Sequence, residues 1–231
     1  MKLSLAFSLL SLATVLVSCQ GTQSVNNQSS EPAKTGRKSF EEWCKEKDSL
    51  TEKMVKISDS RGYQPVSAKK TIEALLEQSG TQDCKLAESK LKSLLELNLT
   101  SKQITDVAPL ASLTNLTTLD ISRNGIIDVT PLASLTNLTN LGLSSNSISD
   151  IRPLASLTNL TVLGLVENQI SDVKPLARLT KLTELYLEVN KITDVTPLAS
   201  LTNLTKLTLG TNPIFPEKFC PLKKESVCDF K

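Results

Sequence analysis

No histidine occurs anywhere in the 231 residues, which excludes the ordinary Ser-His-Asp triad and any imidazole ligand for zinc. The five cysteines, Cys19, Cys44, Cys84, Cys220 and Cys228, contain no pair at zinc-ligand spacing either. Aromatic residues are scarce at 3%, which leaves no stacking platform for single-stranded nucleic acid. A net charge of +2 supplies no basic field to attract a polyanion. The opening apolar run, Leu3 to Val17, is too short and too N-terminal for a permanent membrane span and reads as an export signal.

What the chain has is repetition. The phrase "LTNLTTLDISRNGIIDVTPLAS", Leu113 to Ser134, returns from Leu135 as "LTNLTNLGLSSNSISDIRPLAS". The period is 22 residues and never slips: Asn124, Asn146, Asn168, Asn190 and Asn212 fall on it, as do Asp106, Asp128, Asp150, Asp172 and Asp194. Within one unit, Leu119-Asp120-Ile121 alternates apolar and polar as a half-buried strand does. The Asn that follows suits a tight corner, where its amide can bond backbone groups left unpaired by the bend. Pro131 and its equivalents Pro109, Pro153, Pro175 and Pro197 suit the first position of a short helical turn. One unit cannot bury its own leucines, but stacked copies can.

The pattern L-x-x-L-x-L-x-x-N-x-I-x-D-V-x-P-L resembles the leucine-rich repeat, most closely in its bacterial internalin form. A eukaryotic regulatory subunit of protein phosphatase 1 shares the subtype. The resemblance implies an α/β fold, a right-handed β-α superhelix with a curved parallel sheet, and a function of protein binding. Lys102 stands where the other units carry Asn, so the first corner is expected to be irregular or capped.

Five segments follow. Residues 1–18 read as a signal peptide. Leu16-Val17-Ser18-Cys19 resembles the bacterial lipobox, which implies cleavage before Cys19 and a lipid on its sulfur. The alternative is an ordinary signal peptide with Cys19 incidental. Residues 19–37 are then the lipidated cysteine and a polar tether that cannot bury a core. Gln20 rather than Asp after the cysteine implies, by the same resemblance, the outer membrane in a Gram-negative cell. Residues 38–93 are expected to form a helical cap. Ser39-Phe40-Glu41-Glu42 is a capping-box signature, and Phe40, Trp43, Cys44, Leu50, Met54 and Ile57 recur near helical spacing. A second helix carries Ile72, Leu75 and Leu76 up to Gly80, and a third carries Cys84, Ala87, Leu91 and Leu94. Residues 94–212 are the repeats. Residues 213–231 abandon the pattern, and Phe215, Phe219 and Phe230 are expected to lid the last coil.

With Cys19 set aside, two cysteines precede the array and two follow it. Six stacked strands hold its ends about 25 Å apart, whereas a disulfide needs Cα atoms within about 7 Å. Cys44–Cys84 and Cys220–Cys228 are the pairings expected in an oxidising compartment, with buried free thiols as the alternative.

The Asp column could suggest calcium, but an Asp at each turn more simply accepts backbone hydrogen bonds. The sequons at Asn115, Asn137, Asn159 and Asn203 are part of the repeated phrase. Neither column calls for a cofactor, a metal or catalysis, so no enzyme is expected. The copies differ where strand side chains face outward: Glu96, Thr118, Asn140, Val162, Glu184, Lys206; then Asn98, Asp120, Gly142, Gly164, Tyr186, Thr208; then Thr100, Ser122, Ser144, Val166, Glu188, Gly210. The resemblance puts all three columns on the concave face. Two glycines leave a dip in mid-array, and beside it stand Val162, Gly164, Val166, Glu167, Glu184, Tyr186, Glu188 and Val189. Apolar residues and a tyrosine among acids suit a protein interface; drift at unconstrained positions is the other reading.

The functional expectation is an exported monomer, lipid-anchored to the bacterial cell envelope at the outer membrane or cell surface, or else secreted. It binds a protein partner through the concave face, contacts the membrane only through its lipid, and binds no nucleic acid. A structural envelope protein without a discrete ligand and a regulatory subunit of an exported enzyme are the alternatives.

Overall fold

The computed structural model describes residues 38–50, 53–56, 63–214, 219–222 and 225–230. The signal peptide, Cys19 and the tether therefore lie outside the described residues, as do Ile57 and Phe215.

The compact unit Arg37–Lys231 begins with a cap of three helices. Helix α1 (Phe40–Glu46) starts at Ser39, whose hydroxyl accepts from the Glu42 N–H while the Glu42 carboxylate accepts from the Ser39 N–H. Both ends of the capping box are thus made. Helix α2 (Lys69–Ser79) ends at Gly80, which adopts the left-handed conformation at φ 65° that glycine takes without a Cβ penalty. Helix α3 (Cys84–Lys92) is capped by the Asp83 carboxylate, which accepts from the Leu86 N–H. Cys44 of α1 is disulfide-bonded to Cys84 of α3, with Cα atoms 5.6 Å apart. The Glu88 carboxylate ties the same two helices by accepting from the Glu41 N–H at 2.7 Å.

One expectation fails in this cap. Met54 does not continue a helix: it sits in strand β1 (Lys53–Lys56), paired antiparallel with β2 (Tyr63–Val66). Leu50, Met54 and Ile57 are spaced four and three apart, which mimics a helix face in a stretch too short for periodicity to decide.

Six strands then follow at the repeat interval: β3 (Glu96–Asn98), β4 (Thr118–Asp120), β5 (Asn140–Gly142), β6 (Val162–Gly164), β7 (Glu184–Tyr186) and β8 (Lys206–Thr208). Each pairs in parallel with the next, in register with its equivalent 22 residues on, as in Leu119↔Leu141 and Leu163↔Leu185. The middle residues Leu97, Leu119, Leu141, Leu163, Leu185 and Leu207 are at most 2% exposed, and full burial of each contributes about 1.5–3 kcal/mol. On the return side, five 3-10 turns such as Thr130–Ser134 carry their proline in the first two positions, where a missing N–H costs nothing.

The sheet has a seventh strand that the repeat pattern does not announce. After the array, β9 (Cys228–Asp229) pairs in parallel with β8, Leu207↔Cys228 and Thr208↔Asp229. Cys220 is disulfide-bonded to Cys228. Val227 is buried and Phe230 packs on the core, but Phe219 is 39% exposed. Among the described residues of the tail, the backbone edge and Val227 cover the last coil together with Phe230, and Phe219 does not. The result is an open, seven-stranded parallel sheet backed by 3-10 turns: a leucine-rich repeat solenoid.

Candidate partner-binding face

The repeated polar residues are all spent on the scaffold. Asn146 accepts from the Ile126 N–H at 3.0 Å and donates to the carbonyls of Ile121, Leu143 and Ser144 at 3.2, 2.9 and 3.3 Å. Two of these partners belong to its own coil and two to the coil before, so each asparagine both closes a corner and stitches neighbours. The first coil, with Lys102 in this place, compensates: its Ser101 and Gln103 both take positive φ, and Asn124 of the next coil accepts from the N–H groups of Lys102 and Ile104. The freed Lys102 ammonium reaches Glu77 of α2 at 2.7 Å.

Every aspartate of the column accepts the N–H two residues on, at 2.8–2.9 Å. Among the described residues no group of acids could hold a metal ion. The sequon asparagines form a further ladder, Asn137 donating to the Thr114 carbonyl and Asn159 to that of Thr136, both at 2.9 Å. Repetition of these residues is explained by backbone bonding alone.

Of the outward strand positions, Asn98 and Asp120 accept the N–H two residues on, whereas the later copies of that column, Gly142, Gly164, Tyr186 and Thr208, carry no such acceptor. Val162, Glu184 and Tyr186 are half-buried on adjoining strands, with Val162↔Glu184 and Gly164↔Tyr186 in register. The Tyr186 hydroxyl donates to the Glu184 carboxylate, and the Lys206 ammonium lies 4.8 Å from the centroid of the Tyr186 ring. The Glu184 carboxylate beside it, with burial, raises the Tyr186 hydroxyl above its ordinary value near 10. Val166 and Glu188 continue the face two residues along the chain, both half-buried.

Three details refine this face. First, the dip is smaller than two glycines imply. A Cβ on Gly142 would stand 2.6 Å from Oδ1 of Asp120, whose side chain leans into that space, whereas one on Gly164 would meet only the Ser144 hydroxyl at 3.2 Å. Second, Glu167 and Val189 stand at the corners, one residue beyond the outward positions Val166 and Glu188. With Ser145 and Gln169 they line a shallow recess beside the asparagines, and Ser145 donates to the Glu167 carboxylate at 2.6 Å. Both adopt the left-handed region, at φ 57° and 55°. That conformation strains a β-branched residue such as Val189, which is also 44% exposed. Third, Lys206 joins the patch by its contact with Tyr186, 20 residues away in the chain, a pairing that adjacent copies read across the sheet bring together.

The profile of the family described as "Leucine Rich repeats (2 copies)" matches residues 86–134, 136–178 and 180–224. The chain belongs to this leucine-rich repeat family. In structure it is similar to the internalin InlF of Listeria monocytogenes, at 32% identity and a TM-score of 0.59, over 64% of this chain and 45% of that one. It is also similar to a leucine-rich repeat protein of Leptospira interrogans, at 32% identity and a TM-score of 0.53, over 57% of this chain and 35% of that one. The chain thus spans less than half the length of either protein. No curated protein matches it.

Proposed function

We propose that this chain is a lipid-anchored, extracytoplasmic leucine-rich repeat protein that binds another protein through the C-terminal half of its concave sheet. The observation that carries the reading is the division of labour among the repeats. Corner and turn columns are consumed by backbone bonding, while Val162, Gly164, Val166, Glu184, Tyr186 and Glu188 vary on a rigid surface that bonds nothing structural. A large ring with a polar tip, flanked by apolar side chains and acids, is the composition of an interface anchor. Leucine-rich repeat proteins generally act as protein-binding scaffolds without catalysis, and internalin-like proteins are displayed or secreted. Two disulfides favour an oxidising compartment. Anchoring is assigned to Cys19 on the lipobox-like Leu16-Val17-Ser18-Cys19; among the described residues no helix is long and apolar enough to cross a membrane.

Capture from native envelopes tests the reading. The exported chain should retain one stoichiometric protein, and Tyr186→Ala should release it. Absence of any such protein would favour a purely structural role, and retention of an enzyme would favour a regulatory one. Cys19→Ser should abolish acyl labelling and membrane retention; equal labelling of that variant would remove the lipid anchor from the account.

A further inference from the structure

Five carboxylates stand on or beside the concave face: Glu96, Asp120, Glu167, Glu184 and Glu188. Several have an internal donor. Asp120 accepts from the Ser122 N–H at 3.0 Å, Glu167 from the Ser145 hydroxyl, and Glu184 from the Tyr186 hydroxyl. Glu96 is exposed to water. Glu188 differs from all of these: its Oε2 is buried and, among the described residues, has no hydrogen-bond partner. A buried carboxylate oxygen without a donor is costly, more so than an idle hydroxyl, and such a group calls for an explanation.

A second orphan lies close by in the sheet. Thr208, the register partner of Tyr186 on β8, is only 5% exposed, and its Oγ1 also has no partner. On its other side Thr208 pairs in register with Asp229 of β9, and two of the neighbouring column positions are glycine. Gly210 follows Glu188 in its column and Gly164 precedes Tyr186 in the other. The Tyr186 ring already attracts a cation, the ammonium of exposed Lys206.

From these observations, and resting on the concave-face reading above, we propose that Tyr186, Glu188 and Thr208 form a receptor for a guanidinium group, taking an arginine side chain of the protein partner. The plane of the guanidinium stacks on the Tyr186 ring in place of Lys206, and its N–H groups donate to Oε2 of Glu188 and Oγ1 of Thr208. An ammonium would satisfy the charge but not the flat ring and the two separated acceptors together. Lys206 acts as an internal stand-in that the arriving arginine displaces.

The test uses the full chain with 13C-labelled tyrosine, which has only two tyrosines, so Tyr186 reports and Tyr63 serves as reference. N-acetyl-arginine amide should shift the Tyr186 ring resonances saturably and leave those of Tyr63 in place. N-acetyl-lysine amide should bind more weakly, and the neutral N-acetyl-citrulline amide should give no saturable shift. Glu188→Gln should weaken arginine binding by at least about tenfold with no loss of melting temperature. Lys206→Gln, on an exposed side chain, should tighten binding by about threefold by vacating the ring. An unchanged affinity in Glu188→Gln, a weaker one in Lys206→Gln, or equal responses to arginine and citrulline would overturn the proposal; the first of these is the outcome if a water merely bridges Glu188 and Thr208. Loss of envelope capture in Tyr186→Ala without any arginine response would sink the guanidinium site and leave the concave interface standing. Arginine binding with capture unaffected by Tyr186→Ala would do the reverse.

Discussion

At the corners, Asn124, Asn146, Asn168, Asn190 and Asn212 repeat without change, and each bonds four or five backbone groups. On the concave face, the column Asn98, Asp120, Gly142, Gly164, Tyr186, Thr208 holds five residue types in six positions. Both columns come from the same 22-residue phrase, and both lie on the rigid part of the solenoid. The difference is what the side chain must satisfy. An amide is the only uncharged group that accepts one N–H and donates to several carbonyls from one corner, so chemistry fixes the residue. An outward strand position fixes no single residue: Asn98 and Asp120 accept the N–H two residues on, while Gly142, Gly164 and Tyr186 in the same column do without that bond. At one such position Tyr186 is held by the carboxylate of Glu184 and the ammonium of Lys206, with no backbone group of the coil to satisfy.

The corner position just before each asparagine, and before Lys102 in the first coil, is equally free in sequence. Ser101, Arg123, Ser145, Glu167, Val189 and Thr211 all adopt φ near 55–58°, a region that favours glycine or asparagine. None of these six is either. Conformation alone therefore does not dictate a residue in this solenoid, whereas the satisfaction of buried backbone groups does.

The largest effect should come from breaking the corner ladder. Asn146→Ala leaves backbone groups of two coils unpaired and should lower stability by about 1–3 kcal/mol in chemical denaturation, with partner capture retained by the folded fraction. A smaller effect of opposite sign is expected at Val189. Val189→Asn relieves the left-handed strain and should raise stability by about 1 kcal/mol, and the melting temperature reports it. Tyr186→Ala should change stability by no more than about 0.5 kcal/mol, as surface substitutions usually do; a loss as large as that of Asn146→Ala would move Tyr186 from the interface to the scaffold. The smallest effect concerns alkali. Because the folded state holds the Tyr186 proton more tightly, its contribution to stability is complete below the unfolded value near 10 and is lost as pH rises through the folded one. Ultraviolet titration should show one tyrosine ionising above its ordinary range, and Tyr186→Phe should remove that step.

Much of this was legible in the sequence because the repeat states it several times. The Leu, Asn, Asp and Pro columns map directly onto strand, corner, turn and return, and the position of Lys102 marks the one irregular corner. What stayed hidden depends on contacts across coils or outside the repeat. The β1–β2 hairpin has too few residues for a period of two to outweigh one near 3.6. Strand β9 carries no repeat phrase and is recruited by the open edge of β8. The pairing of Lys206 with Tyr186, the Asp120 carboxylate over Gly142 and the orphaned oxygen of Glu188 appear only when adjacent copies are laid side by side.

The central claim is that the C-terminal half of the concave sheet meets a protein. A photo-crosslinking amino acid placed at residue 186, and separately at the convex residue Arg152, tests it without knowledge of the partner. Arg152 is a fair control because its side chain is highly exposed and paired only with the neighbouring Asp150. In intact cells the substitution at 186 should yield one discrete adduct containing a second protein, and the substitution at 152 should yield none. Adducts at 152 with none at 186 would contradict the account.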